Sequence, residues 1–329
     1  MQCVSVPARD AERARRLLAG SGLLVKGLKL VRAGSRVLIP VGDGEKAVSV
    51  LSREGIEAEV CTSEFPRYRR PSRLSTPVKS YSVYGDVAVF SYTAGIPLED
   101  YVRAARILVE EHGYRAVYLK VGTEGPYRLP SLRLLWGQPG TEVTIKEYGL
   151  RIMLDISKAY YNVRLAGERR SVSESVNDGE RVLDMFAGVG PFSLHIASLR
   201  RASVVAVDIN PYAVYYMIAN IKLNSRRLKG CITPVRGDSS RLSKILKPVF
   251  NRIIMNNPTM TPQFLGEACG ISVKNAVIHY YRLHGSCEGA IKEALHEAPS
   301  WCGLQVDGCR EVLEHSPTKR IYRIDLRRV

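Results

Sequence analysis

The sequence predicts an α/β fold built around a β-turn-α-β unit, and three observations carry that expectation. Residues 181–210 read RVLDMFAGVGPFSLHIASLRRASVVAVDIN, an apolar run, a glycine turn, a helix and a second apolar run ending in an acid. Val235 to Asp238 reads as a third strand tip ending in an acid, and Arg252 to Met255 as a strand that delivers Asn256-Asn257-Pro258. At 329 residues the chain is long enough for two or three domains, and the segments before this unit alternate between strand and helix patterns.

Within the central stretch, Val182-Leu183 is short enough for a buried parallel strand that Asp184 ends. Gly188 and Gly190 follow at the spacing of a tight turn, Phe192 to Leu199 has a helical pattern, and Val204 to Val207 is a strand closed by Asp208. Glycines at a turn let backbone approach a ligand, and an acid at the tip of the second strand suits the two hydroxyls of a ribose.

In chain order, residues 1–65 predict a small α/β module. It has strands at Cys3 to Pro7 and Arg36 to Val41, and helices at Ala8 to Gly20 and from about Glu45 to Arg53. Residues 66–77 form a proline-punctuated linker with Arg67, Arg69, Arg70, Arg73 and Tyr68, which reads equally as a solvated hinge or as phosphate contacts. Residues 78–166 form a sheet-rich middle module. Its strands are Ser80 to Val83, Val87 to Phe90 and Ala116 to Val121, with a helix at Leu98 to His112 and paired strands around Gly149. Residues 167–329 form the catalytic module, opened by a helix from Gly167 to Ser175. There the helix from Pro211 to Leu223 carries Tyr212, Tyr215 and Tyr216, read as packing residues. Two late strands, Ala276 to Tyr281 and Arg320 to Leu326, follow, the second carrying Arg320 and Arg323.

Composition narrows the function. No apolar run approaches the ~18 residues a membrane span needs, and the N-terminus has no signal core, so a cytoplasmic protein is expected. The seven cysteines lack CxxC pairing, which indicates neither a zinc site nor a disulfide framework, with Cys302–Cys309 the one candidate bridge. The formal net charge is +16, carried mostly by arginine, which forks onto phosphates and so favours a nucleic-acid partner.

D-x-F-A-G-x-G-P-F-S departs from the G-x-G-x-x-G dinucleotide fingerprint and resembles motif I of the class I S-adenosylmethionine-dependent methyltransferases. Asn256-Asn257-Pro258 resembles the N-L-P turn of the archaeal-eukaryotic tRNA (guanine-37 N1)-methyltransferases, with Asn257 in place of the usual apolar residue. The similarity to that family covers nearly the whole chain. It includes the C-V-x-V-P start, S-Y-x-V-x-G-D-V-A-V at 80–89, P-Y-R at 126–128 and K-E-Y-G-x-R at 146–151. It continues with R-L-x-x-E-R at 164–169, V-D-I-N-P-x-A-V at 207–214 and V-I-H-Y-Y at 277–281.

The resemblance implies a Rossmann-like class I catalytic domain, a middle domain that with it holds the anticodon stem-loop, and an N-terminal domain that recognises the outer corner of tRNA, in a monomer. The cofactor it implies is S-adenosylmethionine, held by Asp184, Phe186, Gly188, Gly190, Asp208, Ile209, Asp238 and Asn256. Guanine N1 carries a proton and becomes nucleophilic only as that proton leaves and charge builds on O6. The sulfonium methyl is already activated, so one base, one donor to O6 and in-line positioning suffice without a metal. By motif match Glu168 is the base, Arg128 the donor to O6, Asn256 the hydrogen-bond partner of the base edge and Tyr160 the wall of the flipped guanine. Three alternatives stay open: aminocarboxypropyl transfer to a tricyclic guanosine, further C-methylation of that intermediate, and a non-catalytic tRNA-binding protein.

Overall fold

The computed structural model describes residues 1–25, 28, 30–65, 76–78, 80–125, 127, 129–259, 264–316 and 318–329. They form two compact units, Met1–Arg73 and Leu74–Val329. The arginine cluster at 67–73 and Arg128 lie outside the described residues.

In the first unit β1 (Gln2–Pro7), α1 (Ala11–Gly20), β2 (Val31–Ala33), β3 (Arg36–Pro40), α2 (Gly44–Arg53) and β4 (Glu59–Thr62) build a sheet ordered β2-β3-β1-β4. Ala14 and Leu18 of α1 and Ala47 and Leu51 of α2 recur at helical spacing, and all four are buried against Val4, Val6 and Ile39. Asp43 starts α2 by accepting a hydrogen bond from Lys46 N at 3.0 Å. The two predicted helices and strands are present; the short edge strands β2 and β4 were not foreseen.

The second unit opens with β5 (Tyr81–Tyr84), β6 (Val87–Ser91), α3 (Leu98–Glu110), β7 (Ala116–Glu124) and β8 (Leu129–Gly137), ordered β5-β6-β7-β8. β6 and β7 are parallel because α3 carries the chain back between them. Next, β9 (Glu142–Glu147) and β10 (Leu150–Asp155) form the hairpin expected around Gly149. Its two-residue turn holds Tyr148 at φ 46° and Gly149 at φ 83°, so both central residues are left-handed, as a tight hairpin turn requires.

The rest of this unit is α4 (Ala166–Ser175), β11 (Arg181–Asp184), α5 (Pro191–Leu199), β12 (Ser203–Asp208), α6 (Pro211–Asn224) and β13 (Cys231–Arg236). It continues through β14 (Phe250–Met255), α7 (Leu265–Ile271), β15 (Ser272–His284), α8 (Cys287–Glu297), β16 (Leu304–Ser316) and β17 (Lys319–Arg328). The seven-stranded sheet has the order β13-β12-β11-β14-β15-β17-β16, parallel from β13 to β15, with β17 and β16 antiparallel at one edge. The order reverses direction between β11 and β14, and ligands of such sheets bind in the crevice at the C-terminal strand ends.

The hairpin and the seven-stranded sheet are joined by an asparagine ladder. Asn220 and Asn224, one turn apart on α6, are buried and pair with the free edge of β10 as a strand would. Asn220 Oδ1 accepts from Met153 N at 2.7 Å while its Nδ2 donates to Met153 O at 2.9 Å. Asn224 does the same for Arg151, at 2.9 and 2.7 Å. An apolar residue at either position leaves a buried strand edge unpaired.

Two sequence expectations are corrected here. Disulfides join Cys3–Cys61, Cys269–Cys302 and Cys287–Cys309, so a disulfide framework exists and the single candidate pair, Cys302–Cys309, does not form. Tertiary packing, not sequence spacing, chose the partners: Cys3 faces Cys61 directly across β1 and β4, and Cys287 of α8 meets Cys309 of β16. Of the three tyrosines of α6 only Tyr216 packs in the core, buried with its hydroxyl donating to Glu142 Oε2 at 2.8 Å. Tyr212, in the first turn with Lys158 over its ring, and Tyr215 are exposed.

Candidate active site

The glycine turn and the acid at the tip of β12 form one hydrogen-bonded piece. Asp208 Oδ2 accepts from Gly188 N at 2.7 Å and its Oδ1 accepts from Asn210 N at 2.8 Å. Gly188 (φ 56°) and Gly190 (φ 83°) are left-handed, and a Cβ on Gly190 would stand 2.7 Å from the Met217 side chain. Only glycine therefore closes this turn at full packing density. Burial raises the Asp208 carboxyl above its usual range, against the lowering effect of the two backbone donors.

Asp184 lies one strand away and is fully buried. Its Oδ2 accepts from Ser193 Oγ at 2.9 Å, while Oδ1 is buried with no hydrogen-bond partner. Burial pushes its pKa up to about 7; the Ser193 bond opposes this and the nearby Asp208 charge adds to it. A buried carboxylate oxygen without a hydrogen-bond partner beside a glycine turn is suited to a cationic ligand group.

The other expected cofactor residues stand around this turn. Ile209 is an exposed apolar side chain directly after Asp208, and Phe186 packs edge-on against Phe264 with centroids 5.0 Å apart. Asp238 follows β13 and caps the next turn, its Oδ1 accepting from Ser240 N at 2.9 Å, which lowers its pKa. Asn256 is the half-buried residue directly after β14, and Pro258 O accepts from Leu283 N at 3.2 Å, docking the Asn-Asn-Pro turn on β15.

The segment after β10 returns to the same place. Lys158 O accepts from Asn210 Nδ2 at 2.8 Å, and Tyr160 O stands 3.6 Å from the Cβ position of Gly188. The Tyr160 side chain is 63% exposed, so its ring is free to receive a planar ligand.

Glu168 sits in the first turn of α4, which runs back toward the start of β11 and so begins at the sheet's C-terminal edge. The carboxylate is buried, and three residues that the motif reading did not single out as site residues hold it. Its Oε1 accepts from Tyr281 Oη at 2.6 Å and Arg323 Nη1 at 2.8 Å, and its Oε2 accepts from Arg310 Nη2. Tyr281, Arg323 and Arg310 are neighbours in one row across β15, β17 and β16. That row is one residue beyond the Met255–Tyr280 pair, level with Asn256. Arg323, between the apolar residues Tyr322 and Ile324 of β17, was the available signal, since an arginine buried in an apolar strand needs a buried acid.

The next residue, Arg169, points the other way and is structural. It is buried, donates from Nη1 to Glu147 Oε2 at 2.6 Å and from Nη2 to Asn162 O at 2.5 Å, and stacks over Tyr161. Glu147 also receives Tyr161 Oη at 2.5 Å and lies 2.7 Å from His195 Nε2. Burial alone would raise the Glu147 pKa, but the bond to His195, the Arg169 charge and the Tyr161 hydroxyl hold it at about 2. The R-L-x-x-E-R motif thus supplies one acid to the crevice and one base to the core. Arg128, the expected partner for O6, lies outside the described residues.

A parallel sheet that reverses its strand order, with a glycine turn bound to a ribose-type acid at the reversal, defines a class I S-adenosylmethionine-dependent methyltransferase. Residues 143–298 match the TRM5/TYW2 methyltransferase domain, and residues 3–48 match the tRNA methyltransferase 5 N-terminal domain. The chain is 34% identical to "tRNA (guanine(37)-N(1))-methyltransferase Trm5b" of Pyrococcus abyssi over 98% of both chains. It is 31% identical, over 67% of its length and 82% of the relative, to the "tRNA(Phe) (4-demethylwyosine(37)-C(7)) aminocarboxypropyltransferase" of Methanocaldococcus jannaschii. Among solved structures, "The complex structure of aTrm5 and tRNALeu" is similar at TM-score 0.70 and 28% identity, covering 99% of both chains. The chain belongs to the Trm5/TYW2 methyltransferase family. Among the described residues no helix is long and apolar enough to cross a membrane.

Proposed function

We propose that this protein transfers the methyl group of S-adenosylmethionine to N1 of guanine-37 in tRNA. The observation that carries the reading is the placing of Glu168 and Asn256 at one sheet edge with the Gly188–Asp208 turn. That edge sets a proton acceptor, a base-edge hydrogen-bonding group and a cofactor cradle around one crevice.

The residues present fit the cofactor. Each Asp208 oxygen has one backbone donor and keeps acceptor capacity for a ribose hydroxyl. The orphaned Asp184 Oδ1 matches the ammonium of the methionine moiety. Ile209, Phe186 and Asp238 border the place for the adenine, and the Gly188–Gly190 backbone borders the methionine chain. When bound, the group supplies a methyl already activated on a sulfonium.

Everything else falls to side chains of this chain. Asn256 hydrogen-bonds the guanine edge, Tyr160 walls the flipped base, and Arg128 donates to O6 as charge builds there. Glu168 takes the N1 proton, and once one of its three donors is displaced its carboxylate has an oxygen for that proton. The +16 charge and the 66–77 linker fit phosphate contacts, and the N-terminal unit fits recognition of the outer corner of tRNA. Such an enzyme works in the cytoplasm as a monomer.

The retained Asn256-Asn257-Pro258 turn favours this reading over aminocarboxypropyl transfer, although a relative of that activity is 31% identical. Incubation with methyl-labelled cofactor of unmodified tRNA and, in parallel, of tRNA carrying the tricyclic guanosine, followed by nucleoside analysis, should place label in N1-methylguanosine of the unmodified tRNA. Labelled methylthioadenosine as by-product would support the aminocarboxypropyl reading, label in a tricyclic nucleoside the C-methylation reading, and no transfer a binding protein.

A further inference from the structure

Glu168 is held unevenly. Its Oε1 is anchored by two buried groups, Tyr281 and Arg323, whereas its Oε2 has a single donor, Arg310. The Arg310 side chain is 42% exposed against 10% for Arg323, so it alone of the three can swing without opening the core. A guanine whose N1–H reaches Oε2 must take the place that the Arg310 guanidinium occupies. That exchange is chemically matched. A guanidinium beside a carboxylate oxygen presents a donor next to an acceptor, and the O6/N1–H edge of guanine presents an acceptor next to a donor.

We infer that Arg310 is a further residue of the target-base site: it occupies Oε2 of Glu168 in the free protein and passes to O6 of the guanine when the base enters. The inference rests on the reading of Glu168 as the base. During transfer the N1–H bond breaks and its proton goes to Oε2, while the N1 electron pair forms the bond to the methyl carbon and the sulfonium leaves as a thioether. Charge that gathers on O6 is met by Arg310 as well as Arg128; a carbonyl oxygen has two lone pairs, so both donors have a place. Tyr281 and Arg323 stay on Oε1 throughout and act as positioning residues.

The test uses the full chain with unmodified tRNA and measures the single-turnover rate at saturating tRNA and cofactor for Arg310→Ala, Arg310→Lys, Glu168→Gln and the Glu168→Gln/Arg310→Ala pair. Arg310→Ala should slow the step about 10- to 100-fold, below the 10²–10³-fold seen for a full oxyanion-hole donor because Arg128 remains. Cofactor affinity should stay unchanged, and Arg310→Lys should recover part of the rate. Glu168→Gln should cost about 10²–10⁴-fold. The double variant should be little slower than Glu168→Gln alone, since groups acting as one unit are strongly non-additive. Arg310→Ala at wild-type rate, a loss confined to tRNA affinity, or fully additive losses would each overturn the inference while leaving Glu168 as the base. Glu168→Gln at wild-type rate would remove the base assignment, and this inference with it. Thermal melts of both Arg310 variants identify any loss that comes from unfolding.

Discussion

His279 Nδ1 stands 2.6 Å from Asp325 Oδ1, and its Nε2 stands 2.8 Å from Arg252 Nη1. A guanidinium only donates, so Nε2 accepts and the proton sits on Nδ1, directed at Asp325. The ring is therefore neutral and bridges β14 to β17. Asp325 in turn receives Arg323 Nη2 at 3.0 Å, and Arg323 holds Glu168. This buried chain from Arg252 to Glu168 sets where the proposed base stands.

The charged groups facing His279 are Arg252 from β14 and Asp325 and Arg323 from β17. Burial, the largest influence, and the two arginines lower its pKa, and Asp325 only partly opposes them. The unfolded state therefore binds the proton more readily, so stability should fall as pH drops through the ordinary histidine range near 6.5. Thermal melts from pH 7.5 to 5 should show that contribution as the difference between wild type and a His279 variant, since Asp184, whose raised pKa acts in the opposite sense, contributes to both. His279→Gln should melt lower at pH 7.5, by about 1–3 kcal/mol for the buried partners left unpaired, and lose that part of the slope between pH 6.5 and 5. A variant retaining the slope would show that His279 is not its source.

Cofactor binding should release protons near neutrality. Asp184 titrates at about 7 in the free protein, and an ammonium beside it favours the ionised form, so binding should lower its pKa and expel a fraction of a proton around pH 6–7. Calorimetry with S-adenosylhomocysteine in buffers of different ionisation enthalpy measures the fraction directly. Asp184→Asn should abolish the release; an unchanged release would place the titrating group elsewhere.

Asp208→Ala removes the acceptor proposed for both ribose hydroxyls and the partner of Gly188 N. Loss of charge-assisted hydrogen bonds of about 1.5–3 kcal/mol corresponds to roughly 10- to 150-fold weaker cofactor binding. Binding of tRNA at saturating cofactor should change little. Equal cofactor affinity in the variant would remove Asp208 from the site.

Affinity for tRNA should fall steeply with salt, with log K linear in log salt and a slope of several released ions. Replacing Arg67, Arg69, Arg70 and Arg73 with glutamine should flatten that slope by up to about three units if all four meet phosphates. An unaltered slope would mark this segment as a hinge.

The part of the candidate site made by near neighbours was legible in the sequence. Asp184, Gly188, Gly190 and Asp208 lie within 25 residues, and a short strand, a left-handed turn and a second strand constrain their geometry locally, so type and spacing sufficed to place them. Pattern also gave the hairpin around Gly149 and the two helices of the first unit, since each carries its own turn or amphipathic signal. Only the tertiary structure decided what surrounds Glu168: its partners are 113, 142 and 155 residues away, and strand register alone aligns them in one row. The same holds for the cysteine pairs and for Asn220 and Asn224, whose side chains complete the edge of a strand nearly 70 residues earlier. A buried polar group is stable only with its partner, and the partner is fixed by packing that no local pattern records.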